Sequence, residues 1–275
     1  MVKRILIGLG GTPFTSVAIE RAIELAQQHG ASLKAVTVVD PGQICKLGPV
    51  PAGAGIYAKK MCDNRVEVTR SQIEGSIALL HERCAQSSVD LSIEVETGDP
   101  FDLMIAHARY HDLTIFGLRS MFEYRLANAP EKDLLKLLSK GVRPIIAVSD
   151  KFRKINKVMI AYSGSMESAN AMRHFVRLNL WPDAHLDIVH IGNDQKTDSS
   201  LIDDAAAYCT DHGYTAAGHW RSGKAAEQLL AAARQIDADM IVMGRNMRSM
   251  LVNRILGDTV LDTLAHSNRP LFLSQ

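Results

Sequence analysis

Short continuous apolar runs alternate along this chain with segments whose apolar residues recur at helical spacing. Ile5–Leu9 is the first run, with none of the polar alternation of a half-exposed strand, and so predicts a strand buried on both sheet faces. Thr12-Pro13 then supplies a helix cap followed by proline at the first helical position. Ala18, Ile19, Ala22, Ile23 and Ala26 mark one helical face, and Gly30 stands where a left-handed C-cap is wanted. Leu33–Val39 reads as a second strand, and Ile73, Ile77, Leu80 and Cys84 as the buried stripe of a second helix. Leu91, Ile93 and Val95 alternate as a third strand, and Gly98-Asp99-Pro100 turns the chain into a third helix. Leu113–Phe116, Leu134–Leu138 and Ile145–Val148 predict the fourth strand, a fourth helix and the fifth strand. Strands alternating with helices imply right-handed crossovers and a parallel sheet covered on both faces.

The pattern then starts again. Arg4-Ile-Leu-Ile-Gly-Leu-Gly-Gly-Thr12 aligns without a gap with Lys157-Val-Met-Ile-Ala-Tyr-Ser-Gly-Ser165. Asp112-Leu-Thr-Ile-Phe-Gly117 matches Asp239-Met-Ile-Val-Met-Gly244, and Arg143-Pro144 before Ile145–Val148 matches Arg269-Pro270 before Leu271–Leu273. Three matches in one order indicate a duplication, with domains at 1–149 and 157–275 and the polar segment Asp150–Asn156 as linker. The shift between copies falls from 153 positions at the first match to 127 at the second, so the first copy carries about 26 extra residues, assigned to the Pro/Gly-rich segment Pro41–Lys60 and the helix after it. That segment reads either as a lid over the first copy's cleft or as a surface loop.

Composition narrows the function. With 31 basic and 30 acidic side chains among 275 residues, a net charge of +1 gives no general pull toward nucleic acid or acidic membranes. Aromatic residues are only 5%, too few for base-stacking surfaces. No stretch reaches the length of a membrane span, and the apolar run near Met1 is too short for a signal-peptide core. Cys45, Cys62, Cys84 and Cys209 are widely spaced with no CxxC pair, which predicts reduced thiols and a cytoplasmic address.

In sheets of this kind ligands bind beyond the carboxyl ends of the strands, where strand order reverses. Two loops per copy therefore matter, the one after the first strand and the one after the fourth. In the second copy the first is Ser163-Gly164-Ser165, which either receives an anion at a helix N-terminus or simply caps the helix with Ser165. The other runs from Met243-Gly244 to Gly257-Asp258-Thr259.

These residues, with the openings of both copies and the closing Arg-Pro before a strand, resemble the universal stress protein family across nearly the whole chain, twice. The resemblance implies an adenine-nucleotide alpha-hydrolase-like, Rossmann-like fold: α/β, two tandem open five-stranded parallel sheets with helices on both faces. It further implies a stress-response protein of the cytoplasm, packed as an intramolecular pseudo-dimer through Ile145–Val148 and Leu271–Leu273, with a homodimer of the fused chain left open. Members that bind ATP carry G-x-x-G, nine residues, then G-S or G-T in the fourth-strand loop. Gly244 and Gly257 keep that outer spacing, while Met247 replaces the middle glycine, Asp258 the hydroxyl residue, and Ser163 the acidic residue after the first strand. The candidate nucleotide-binding set is Ser163, Gly164, Ser165, Ile191, Met243, Gly244, Gly257, Asp258 and Thr259, with ATP or another adenine nucleotide expected in the second copy only. Met247 adds bulk where backbone approaches phosphate, and Asp258 adds repulsive charge that Arg245, Arg248 and Arg254 offset. In the first copy Gly117 survives, but Ser120, Pro130 and Gly10 stand at the other positions.

Other signals are weaker. His107 and His111 share a helix face with no third metal ligand nearby in the sequence, so they read as a surface pair and no metal is expected. His190, Cys84 and Cys209 read as core residues, and Cys45 and Cys62 as exposed thiols. No Ser/His/Asp set, carboxylate pair or Walker lysine can be assembled, so the chain is not expected to be an enzyme. Two rivals stand beside a nucleotide-responsive protein. One is a scaffold of the same fold without ATP. The lesser is an ATP-pyrophosphatase-like adenylating enzyme, from the distant likeness of Ser163-Gly-Ser-Met-Glu-Ser168 to S-G-G-x-D-S.

Overall fold

The computed structural model describes residues 1–10, 12, 14–39, 44–45, 55–117, 144–244, 263 and 266–274. The helix expected at Leu134–Leu138, the glycine loop Met247–Thr259 and its first-copy counterpart Ser120–Pro130 lie outside these residues.

The first half contributes β1 (Arg4–Leu9), α1 (Phe14–His29), β2 (Ser32–Val39), α2 (Gly55–Ser87), β3 (Leu91–Thr97), α3 (Pro100–Ala108), β4 (Leu113–Phe116) and β5 (Ile145–Ala147). The second half contributes β6 (Lys157–Ala161), α4 (Met166–Leu178), β7 (His185–Gly192), α5 (Gln195–Asp211), β8 (Thr215–Ser222), α6 (Ala225–Gln235), β9 (Met240–Gly244) and β10 (Leu271–Ser274). Local signals explain many boundaries. Gly30 ends α1 with φ +60°, and Asn179 closes α4 in the left-handed region at φ 50°. Asp99 caps α3 by accepting from the N–H groups of Phe101 and Asp102, with Pro100 at its first position.

The strands form one ten-stranded sheet in the order β3-β2-β1-β4-β5-β10-β9-β6-β7-β8. Within each half every pairing is parallel. The halves meet where β5 and β10 pair antiparallel, Ile145 opposite Leu273, Ile146 opposite Phe272 and Ala147 opposite Leu271. The two five-stranded sheets are thus continuous rather than separate. That junction covers two edges that would otherwise present unpaired backbone groups.

Alternate side chains serve the two faces. Ile5, Ile7, Leu33, Ile115, Ile146, Ile160, Ile188 and Phe272 face α1, α2, α4 and α5, in a core that runs across both halves. Leu6, Val36, Ile145, Met159, Ile241 and Leu273 face α3 and α6. At the seam Phe175 meets Phe272 edge to face, ring centroids 5.3 Å apart.

The extra length of the first copy is partly helical. α2 has 33 residues against 17 in its counterpart α5 and begins at Gly55, so positions 55–60 belong to a helix rather than to the loop expected over Pro41–Lys60. A second correction concerns the cysteines. Cys45 and Cys62 form a disulfide with Cα atoms 4.8 Å apart, while Cys84 and Cys209 are the buried free thiols expected. No described helix is long and apolar enough to cross a membrane.

Candidate functional site

In each half the chain steps from the central first strand to one side and returns on the other. Strand order therefore reverses between β1 and β4, and again between β6 and β9. In the second half β6 and β9 pair directly, Ala161 opposite Met243, so the loop after β6 and the end of β9 emerge side by side.

Ser165 is the N-cap of α4: its Oγ accepts from the Ser168 N–H at 3.2 Å. The Ser163 and Ser168 hydroxyls close on it, Ser163 Oγ donating to Ser165 Oγ at 3.0 Å and Ser168 Oγ donating to the Ser165 carbonyl at 2.8 Å. The Ser163 N–H donates to Ser168 Oγ at 3.2 Å. Ser168 is outside the candidate nucleotide-binding set and enters only as the last serine of the S-G-G-x-D-S likeness, although its spacing of three from Ser165 is that of a first helical turn. Gly164 has φ +75°, and a methyl group on it would lie 2.6 Å from Leu201 of α5. Gly244 is constrained by packing: a side chain there would collide with the Glu167 carbonyl and reach within 2.7 Å of the Ser168 N. The structure thus brings Gly244 against the same first turn of α4 that Ser165 caps. Glu167 sits in that turn and adds negative charge where an anion would approach.

Ile191, at the end of β7, is half-buried, as is Tyr162 after β6. Burial pushes the Tyr162 phenol up, with Asp204 and Cys209 adding to the effect. Met243 is 4% exposed and packs in the α6-side core, so a ligand would meet its backbone alone. Gly257, Asp258 and Thr259 lie outside the described residues. His190 is a packed residue as expected, with Nδ1 2.9 Å from the Tyr162 carbonyl and Nε2 3.3 Å from Asp198 Oδ2. Asp198 also accepts from Trp220 Nε1 at 3.1 Å. Any side chain at Gly192 would collide with Asp198, which explains glycine beside this network.

The first copy's loop is bound differently. The Gly10 carbonyl accepts from Thr15 Oγ1 at 2.6 Å and from Ser76 Oγ of α2 at 3.3 Å. Its acidic-residue position thus serves to tie the loop to a helix.

The histidine pair is a further correction. His107 is not a solvated surface residue: its Nε2 lies 2.5 Å from Glu96 Oε1 and 3.2 Å from Glu94 Oε2. His111 turns inward instead, its Nδ1 2.7 Å from the His107 carbonyl. A groove of about 600 Å³ lined by Lys3, Gln27, Gly30, Ser32, Ser88 and Asp90 opens at the amino ends of β1–β3, opposite the end where the fold binds ligands.

The model of the family described as "Universal stress protein family" matches residues 1–121 and again 154–274. Comparison with curated protein sequences finds no match. A universal stress protein from Archaeoglobus fulgidus DSM 4304 superposes with TM-score 0.67 at 17% identity, covering 99% of this chain and 96% of its own. A putative universal stress protein from Pseudomonas aeruginosa UCBPP-PA14 gives TM-score 0.64 at 13% identity, covering 99% and 92%. A functionally unknown protein from Pseudomonas aeruginosa PAO1 gives 0.61 at 12%, also covering 99% and 92%. Two family matches, each spanning its own reversal of strand order, identify this chain as a member of the universal stress protein family that carries the family's domain twice.

Proposed function

We propose that this chain serves the stress response and binds an adenine nucleotide in its second domain, residues 157–275. The reading rests on one observation: Ser163–Ser165 and Gly244 meet at the reversal point beside the N-terminus of α4, where backbone N–H groups favour an anion. Gly257, Asp258 and Thr259 complete the proposed phosphate loop, and Ile191 borders it. The first domain, residues 1–149, takes no nucleotide, since Ser76 engages its loop. No catalytic role is assigned.

The scaffold reading draws on a different observation, the mutual closure of the three serine hydroxyls. Calorimetric titration with ATP separates the two. Met247→Gly with Asp258→Ser removes one bulky side chain and one repulsive charge. It is expected to tighten binding about tenfold, about 1.4 kcal/mol. Gly257→Leu should abolish binding and Pro130→Gly leave it unchanged. A folded double variant with unaltered affinity would favour the scaffold.

A further inference from the structure

We propose that Glu94, Glu96 and His107 form a site for one divalent transition-metal ion of the zinc type on the outer edge of the first copy. Glu94 and Glu96 are two apart on β3, so both carboxylates stand on one face of the sheet. α3 returns across that face and delivers His107 in its last turn. One ligand atom from each residue, an imidazole nitrogen and two carboxylate oxygens, lies within 4.8 Å of the others. Zinc accepts this donor set at about 2.0–2.2 Å, and three protein ligands leave a fourth position for water.

The surroundings favour a cation. Lys34 Nζ holds Glu94 Oε1 at 2.6 Å, which orders the carboxylate while leaving Oε2 directed at His107. Outer partners of this sort orient ligating carboxylates. The carbonyls at the end of α3 add negative potential beside His107. Glu94 is 45% exposed and His107 16%, so an ion can enter from solvent yet meets an ordered imidazole. The duplication provides a control: aligned on Gly98 and Gly223, the positions of Glu94, Glu96 and His107 hold His219, Arg221 and Ala232 in the second copy. An arginine and an alanine cannot complete the set there. The alternative, a self-contained cluster of Lys34 and His107 with two carboxylates, needs no metal. The site is on β3, away from the reversal point between β6 and β9, so it stands or falls separately from nucleotide binding.

Titrate the full-length chain, cleared of metal with chelator and with its disulfide intact, with Zn²⁺ by calorimetry, and record the visible spectrum with Co²⁺. The expected result is one Zn²⁺ per chain. His107→Ala and Glu96→Gln should each weaken it about a hundredfold and remove the Co²⁺ bands. His212→Ala, which removes an exposed histidine elsewhere, should change neither. Absence of stoichiometric binding would overturn the proposal. So would full affinity in a His107→Ala variant with a native circular-dichroism spectrum.

Discussion

Asp112 accepts from the backbone N–H groups of Lys3 and Arg4 at 2.8 and 2.9 Å, and Asp239 from those of Asn156 and Lys157, both at 2.9 Å. Each carboxylate thereby fixes the start of a first strand from the start of a fourth, and the repeated aspartate in the sequence match acquires a physical reason. Burial acts on the thiols: it raises Cys84 to about 11 and Cys209 to about 12, and it is also the main cause that takes Tyr214 to about 12. These groups keep their protons in the folded chain, whereas free thiols ionise near about 8.5 and phenols near about 10. Their contribution is complete below pH about 8.5 and is lost as pH climbs toward about 12, because only the unfolded chain ionises in that window. Melting temperatures measured from pH 7 to 11 should fall on the alkaline side, and Cys209→Ala should make that fall shallower. An equally steep fall in the variant would show that other groups govern alkaline unfolding.

At the scale of elements, α2 is two helices' worth of chain with one half anchored. Ile73, Leu80 and Cys84 are its buried residues, while Ile56 and Tyr57 are 78% and 70% exposed at its start. The Cys45–Cys62 bridge holds the projecting half and closes a separation of 17 residues, a restraint of about 3 kcal/mol on the unfolded chain. Reduction should raise amide exchange over residues 55–70 and leave 73–87 protected; uniform protection after reduction would mean that the bridge anchors nothing. The strands, the caps at Gly30 and Asp99 and the order of elements were legible because each follows from local pattern or one residue's conformational preference. The bridge was not, since two cysteines 17 positions apart carry no signal of proximity when the intervening path is unknown. Glu94 and Glu96 alternate as any solvated strand face does, and only the return of α3 sets His107 between them. The candidate nucleotide site was half legible: Ser165 as a cap follows from its type, but the reason for Gly244 is the α4 backbone, which belongs to another element.

Two junctions among the described residues hold the halves together. One is the antiparallel pair β5–β10, with Phe272 fully buried against Phe175. The other is Arg21 of α1, which is 1% exposed, donates to the Arg153 carbonyl in the linker and pairs with Glu24. Its guanidinium also lies 4.5 Å from the Phe152 ring centroid and 5.3 Å from that of Trp181, so it spans linker and second copy. Scanning calorimetry should therefore show one transition for both halves. Phe272→Ala should cost about 3–5 kcal/mol and split that transition as the halves uncouple. A wild-type scan with two transitions would refute the joint core. The β5–β10 pairing has one more consequence. A domain whose partner strand lies on the same chain never meets a stranger: its neighbour is always the other copy, translated from the same message and present at one to one. Nothing then requires the two surfaces to remain self-complementary, and a substitution on one side needs an answer at only a single position on the other. Tethering thus frees the copies to diverge, and the serine-lined loop of one and the carboxylate edge of the other are differences that a pair of identical subunits would have to display twice.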